Sequence, residues 1–308
     1  MNKLERTIAK VFSKPTFNIK KHYREFRRVK DVLTPNHKQL YNTLDSKILV
    51  DGREIPVRVF FPVGVEKPKV LVFLHGGGWV TGNIETYTGV CLHMAKVTDH
   101  IVISVDYRLA PENPFPAGVE DCYYVIKELY KNSCLLNCSR EDITLIGDSA
   151  GGNLAAVVSL MRRDRGETIP ARQILIYPAT NYDHSDSSPY PSVKEKGYDY
   201  IMKSRMIQDY LDLYVSKEED KLNPYVAPIL SKDLSSQPKT LIITAENDPL
   251  RDEGEAYGQK LREFGNDVTI YRVPDALHGF FSTPIINSHT TESYSVINSF
   301  LHDNEMGK

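Results

Sequence analysis

The chain has 308 residues, 41% of them hydrophobic and 25% charged, an ordinary composition for a folded protein and too apolar for a disordered one. Thirty-eight basic residues against forty acidic ones leave a net charge of −2, without the basic surplus that a nucleic-acid partner needs. No apolar run approaches the roughly 20 residues of a membrane span. Lys3, Arg6, Lys10 and Lys14 interrupt the stretch where a secretory leader would be apolar, so a cytoplasmic location is expected.

Residues 1–45 read as helical and polar. Leu4, Ile8, Val11 and Phe12 fall on one helical face, and a second run over 20–33 carries Lys20, Lys21, Arg24, Arg27, Arg28 and Lys30. Such a run suits a membrane surface, or a solvated helix that packs one apolar stripe on the body; the second is expected. Segments 46–50 and 55–61 flank Asp51-Gly52, a tight hairpin turn. Continuous apolar strands follow at 70–74, 101–105, 143–146, 174–177, 241–244 and 268–273, with helical patterns at 119–130, 150–163, 253–264 and 291–301. This alternation predicts a mostly parallel sheet with helices on both faces and an antiparallel opening hairpin. Residues 182–223 break the rhythm, polar except for a helical patch at 204–215, and read with the N-terminal helices as a lid over the carboxyl ends of the strands. An exposed last strand at 268–273 is a candidate edge for pairing into a homodimer.

Four cysteines make no disulfide framework. Cys134 and Cys138 lack the second pair or the histidines of a zinc site, and Cys91 and Cys122 read as small core residues. No metal is expected.

The chemistry concentrates in short motifs. Gly147-Asp148-Ser149-Ala150-Gly151 joins a strand to a helix, the setting of a nucleophile elbow, where side chains two before and two after the serine would collide. His75-Gly76-Gly77-Gly78 ends another strand, and its glycines let the backbone approach a developing oxyanion. Gly76, Gly77 and Ala150 are the candidate N–H donors. A dinucleotide loop is the rival reading, but residues 76–82 miss G-x-G-x-x-G at every register. A serine nucleophile needs a base and an orienting carboxylate, in the order Ser, Asp or Glu, His. Asp248 and His278 each follow a strand at its carboxyl end. Glu246 and Asp252 compete for the acid, and His289 and His302 for the base; the two histidines fall in or near the last helix, and Asp252 reads as a helix cap.

Together with Asp106-Tyr107-Arg108-Leu109-Ala110-Pro111-Glu112, Asp248-Pro249-Leu250-Arg251-Asp252 and His278-Gly279-Phe280, these motifs resemble the hormone-sensitive lipase family of α/β-hydrolases over roughly residues 46–305. The resemblance implies an α/β-hydrolase core at 46–182 and 223–308 under a helical cap at 1–45 and 183–222. It implies a serine carboxylesterase with Ser149 as nucleophile, His278 as base, Asp248 as orienter, and Gly76, Gly77 and Ala150 as the oxyanion hole. Residues 107–112 are expected to support the site. The expected reaction is hydrolysis of small, short-chain esters, acetyl esters included, through an acyl-enzyme and without a cofactor. A small-molecule receptor on the same fold and a membrane-associated lipid hydrolase are the alternatives. Phe12, Phe17, Trp79, Tyr87 and Phe280 are candidates for the substrate pocket that core packing explains as well.

Overall fold

Asp51 and Gly52 both take positive φ, 47° and 78°, which turns β1 (Thr43–Val50) directly onto β2 (Arg53–Phe60) as an antiparallel hairpin. The structure, a computed structural model, describes residues 19–33, 42–133, 138–197, 202–282 and 287–302. The proposed helix around Leu4 to Phe12, Phe17 and Cys134 lie outside the described residues.

Six further strands complete one sheet: β3 (Val70–Leu74), β4 (Ile101–Val105), β5 (Ile143–Asp148), β6 (Arg172–Ile176), β7 (Lys239–Asn247) and β8 (Val268–Leu277). Their order is β1-β2-β4-β3-β5-β6-β7-β8, antiparallel through β2–β4 and parallel from β4 onward. The central strands β3, β4 and β5 are buried at every position and mostly apolar because helices cover both faces. Val70, Val72 and Leu74 pack with α3 (Ala117–Lys131), α4 (Ala150–Asp164) and the buried Tyr257 and Leu261 of α7 (Arg251–Glu263). Leu71 and Phe73 face the other way, onto α2 (Ile84–Thr98) and α8 (Ser288–His302).

The predicted helices over 119–130, 150–163, 253–264 and 291–301 are present as α3, α4, α7 and α8. Helix α2 was not foreseen, although Asn83 and Thr86 form a reciprocal capping box at its start. Between β6 and β7 lie the short α5 (Pro191–Glu195) and α6 (Ser204–Tyr214). The basic run is α1 (Ile19–Leu33), kinked at His22. It buries Ile19 and packs Tyr23 and Phe26 on the core, while Lys20 Nζ reaches Asp212 of α6 at 2.6 Å. Among the described residues, no helix is long and apolar enough to cross a membrane.

Candidate active site

Ser149 sits between the last residue of β5 and the first of α4, with φ 55° and ψ −118°, a conformation a non-glycine residue adopts only when its surroundings enforce it. They do. Its N–H donates to the Ile176 carbonyl at 2.8 Å, and its carbonyl accepts from Asn153 at 3.0 Å and Ala179 at 3.4 Å. A Cβ on Gly147 would strike the Gly151 carbonyl, and one on Gly151 would strike the Leu74 carbonyl, so both glycines are steric requirements of this turn. The hydroxyl is presented at the carboxyl edge of the sheet, with α4 directing its positive end there.

His278 follows β8, and Asp248 follows β7. The structure brings both to Ser149: His278 Nε2 lies 3.0 Å from Ser149 Oγ, and His278 Nδ1 lies 2.7 Å from Asp248 Oδ2. Asp248 is fully buried and its other oxygen accepts the Leu250 N–H at 2.9 Å, which fixes the carboxylate plane. Burial works to lower the His278 pKa, but the Asp248 carboxylate outweighs it by charge and hydrogen bond, so the ring titrates above 6.5.

The rival residues are engaged elsewhere. Glu246 accepts the Asp275 N–H at 2.7 Å, Asp252 accepts the Ser192 N–H at 2.7 Å, and His302 Nδ1 is 2.8 Å from the Asn298 carbonyl. His289 packs its ring edge against Phe280. Asp252 lies inside the first turn of α7, with Leu250 at the N-cap, so the reading of Asp252 as the cap is corrected.

The glycine loop requires a second correction. The Gly76 N–H donates to Asp148 Oδ1 at 2.7 Å, so it is spent on holding the loop and is not free for an oxyanion. Ala150, as the first residue of α4, has an N–H without an intrahelical acceptor. Gly77 and Gly78 have φ of 117° and 61°, and Gly78 lies so close to the Tyr210 ring of α6 that no Cβ fits.

Asp148 was not singled out in the sequence, yet it organises this side of the site. Besides Gly76 it accepts from the Tyr87 hydroxyl at 3.2 Å and the Tyr177 hydroxyl at 3.4 Å. Burial pushes its carboxyl pKa up, with the Gly76 N–H and the Lys30 ammonium pulling the other way. His75 is kept neutral: burial lowers its pKa to about 4. Tyr107 stacks on the His75 ring at 4.3 Å and donates to the His75 carbonyl at 2.7 Å, the support expected of residues 107–112. Of the pocket candidates, Trp79 is buried in a stack on Tyr214, with ring centroids 4.6 Å apart, and Tyr87 and Phe280 are buried as well.

A family model described as alpha/beta hydrolase fold matches residues 71–282. An arylesterase of Saccharolobus solfataricus is 36% identical over 250 residues, which cover 81% of this chain and 80% of that protein. An ethyl acetate hydrolase of Pseudomonas putida is 31% identical over 234 residues, 75% of this chain and 72% of that protein. A solved esterase of Pyrobaculum calidifontis superposes with a TM-score of 0.85 at 37% identity, covering 99% of both chains.

Proposed function

The chain belongs to the α/β-hydrolase family of the hormone-sensitive lipase type and is a carboxylic ester hydrolase; from that premise we propose that it hydrolyses small, short-chain esters, acetyl esters included, through an acyl-enzyme on Ser149. The observation that carries this reading is the continuous line from Asp248 through His278 to Ser149, at 2.7 and 3.0 Å. In the proposed sequence, His278 Nε2 takes the Ser149 proton as Oγ attacks the ester carbonyl. The tetrahedral oxyanion is held by the N–H groups of Gly77, Gly78 and Ala150, because the Gly76 N–H already serves Asp148. His278 then passes its proton to the departing alkoxide, and water repeats the attack on the acyl group. Asp248 holds the imidazole with Nε2 toward the serine and stabilises the imidazolium. No step calls on a cofactor.

The preference for short chains draws support from the Pseudomonas putida relative named as an ethyl acetate hydrolase. The reading also divides the chain into a core and a cap, the cap comprising residues 1–45 and 183–222. The ion pairs of Lys20 with Asp212 and Asp209 and the contact of Tyr210 with Gly78 support that division. The test is hydrolysis of p-nitrophenyl esters from acetyl to dodecanoyl. Turnover peaking at the short acyl chains is the expected result. A peak at the long chains would replace this reading with a lipid hydrolase, and no turnover at any length would favour a receptor.

A further inference from the structure

Glu253 is a second fully buried carboxylate that the mechanism above does not use. It lies in the first turn of α7, close in sequence to Asp248. Its Oε1 accepts two backbone N–H groups, from Thr180 at 2.7 Å and Asn181 at 3.1 Å, and the Thr180 hydroxyl returns a bond to the Glu253 carbonyl at 2.9 Å. Its Oε2 lies 2.9 Å from Nε2 of His184, which is also buried. A buried carboxylate is costly unless its lone pairs are met; the two N–H groups meet those of Oε1, whereas the His184 ring beside Oε2 is close but not aligned for a hydrogen bond.

What the donors belong to gives the arrangement its meaning. They sit in the segment that leaves β6, and the same segment touches both reacting side chains' supports. The Tyr177 ring lies against His278 with centroids 4.7 Å apart, and the Ala179 N–H bonds the Ser149 carbonyl at 3.4 Å. Asn153 of α4 fixes the Ala179 carbonyl at 2.9 Å. On the other side, Ser192 Oγ donates to the Pro249 carbonyl at 2.7 Å, so the turn after Asp248 is held from the insertion too.

We propose that Glu253 is a positioning residue, whose carboxylate pins the 179–181 segment, and through it Ser149 and His278, to the turn that carries Asp248. This rests on the serine-esterase reading above. The charged groups that face His278 are Asp248 from the turn after β7, Asp148 from β5 and Glu253 from α7, with the phenol of Tyr177 against the ring; Glu253 itself faces His184 and Tyr190. Its charge therefore adds to the field that favours the imidazolium.

The experiment compares wild type, Glu253→Gln and Glu253→Ala, with kcat expressed per site titrated by an organophosphorus ester and the His278 ring titrated by NMR. In Glu253→Ala, kcat per titrated site should fall about 10- to 100-fold with KM within about threefold, because reacting groups are misplaced while binding surfaces remain. Glu253→Gln should recover most of that kcat, since an amide oxygen still accepts both N–H groups, and its His278 pKa should fall below that of wild type. Unchanged kcat per site and an unchanged His278 pKa in both variants, with only a lower Tm, would overturn the proposal. If Glu253→Ala does not fold, Thr180→Val decides: it removes the hydroxyl bond between the pinned segment and the Glu253 carbonyl, and kcat per titrated site should fall with KM little changed, whereas an unchanged kcat would overturn the proposal. Absence of Ser149-dependent turnover in the wild type would instead sink the esterase reading, and the ring titration would still report on Glu253.

Discussion

At His278, burial disfavours the imidazolium, while Asp248 and, farther off, Asp148 and Glu253 favour it, and the charges prevail. A general base must be neutral to act, so kcat/KM is expected to rise with pH through a midpoint above 6.5. A pH–rate midpoint at or below the ordinary value would contradict this electrostatic account. Stability runs the opposite way. The folded pKa exceeds the unfolded one, so the contribution of His278 to stability is complete below the unfolded pKa and is lost as pH rises through the folded one. The stability gap between wild type and His278→Asn should therefore narrow as pH rises from below 6.5 through the raised folded value, in denaturant titrations. Asp248→Asn removes the main charge, and should lower both the kinetic midpoint and kcat, the latter by about 10⁴. At this scale the sequence was informative wherever a motif fixes a side chain at a strand end, as at Ser149, Asp248 and His278. It misplaced Gly76 among the oxyanion donors, because the acceptor of its N–H is a carboxylate brought in from β5, and it was silent on Glu253, whose partners lie far along the chain.

Among the elements, the turn between β5 and α4 has the least steric tolerance. Gly151→Ala should destabilise by about 3 kcal/mol or more, since the methyl meets the backbone of Leu74 and no side-chain rotation relieves it. Gly166→Ala is the control: its φ of 64° is unfavourable for alanine but nothing lies within 4 Å of the added Cβ, so about 1–2 kcal/mol is expected. Urea unfolding of the two variants would contradict the account if the order were reversed. The strands were legible because a sheet covered on both faces is apolar along most of each strand, and 70–74 and 101–105 coincide with β3 and β4. Helix α2 escaped because its buried positions include Thr88, Cys91 and Thr98 among the apolar ones, which blurs the helical period. Its capping box, Asn83 with Thr86, was the available signal. The hairpin ends also moved, with β1 beginning at Thr43, since pairing with β2 extends a strand past its apolar stretch.

For the molecule as a whole, the question is what holds α1 to the body, and two basic residues give different answers. Lys20 is 38% exposed and pairs with Asp209 and Asp212, a surface ion pair worth less than about 1 kcal/mol. Arg27 is 23% exposed, pairs with Glu112, and donates to the Val80 and Ala110 carbonyls at 2.6 and 2.7 Å, directly behind the glycine loop. Arg27→Ala should cost about 2 kcal/mol in chemical denaturation and Lys20→Ala less than about half of that; equal effects would remove Arg27 as the clamp. The basic run, ambiguous in the sequence between a lipid surface and a packed helix, is thus tied in part to the protein itself. All of these arrangements converge on one hydroxyl. The most direct test is the turnover of p-nitrophenyl acetate by Ser149→Ala beside wild type at equal folded concentration. The account predicts a loss on the order of 10⁴- to 10⁶-fold; a variant that retained turnover within about tenfold of wild type would contradict it.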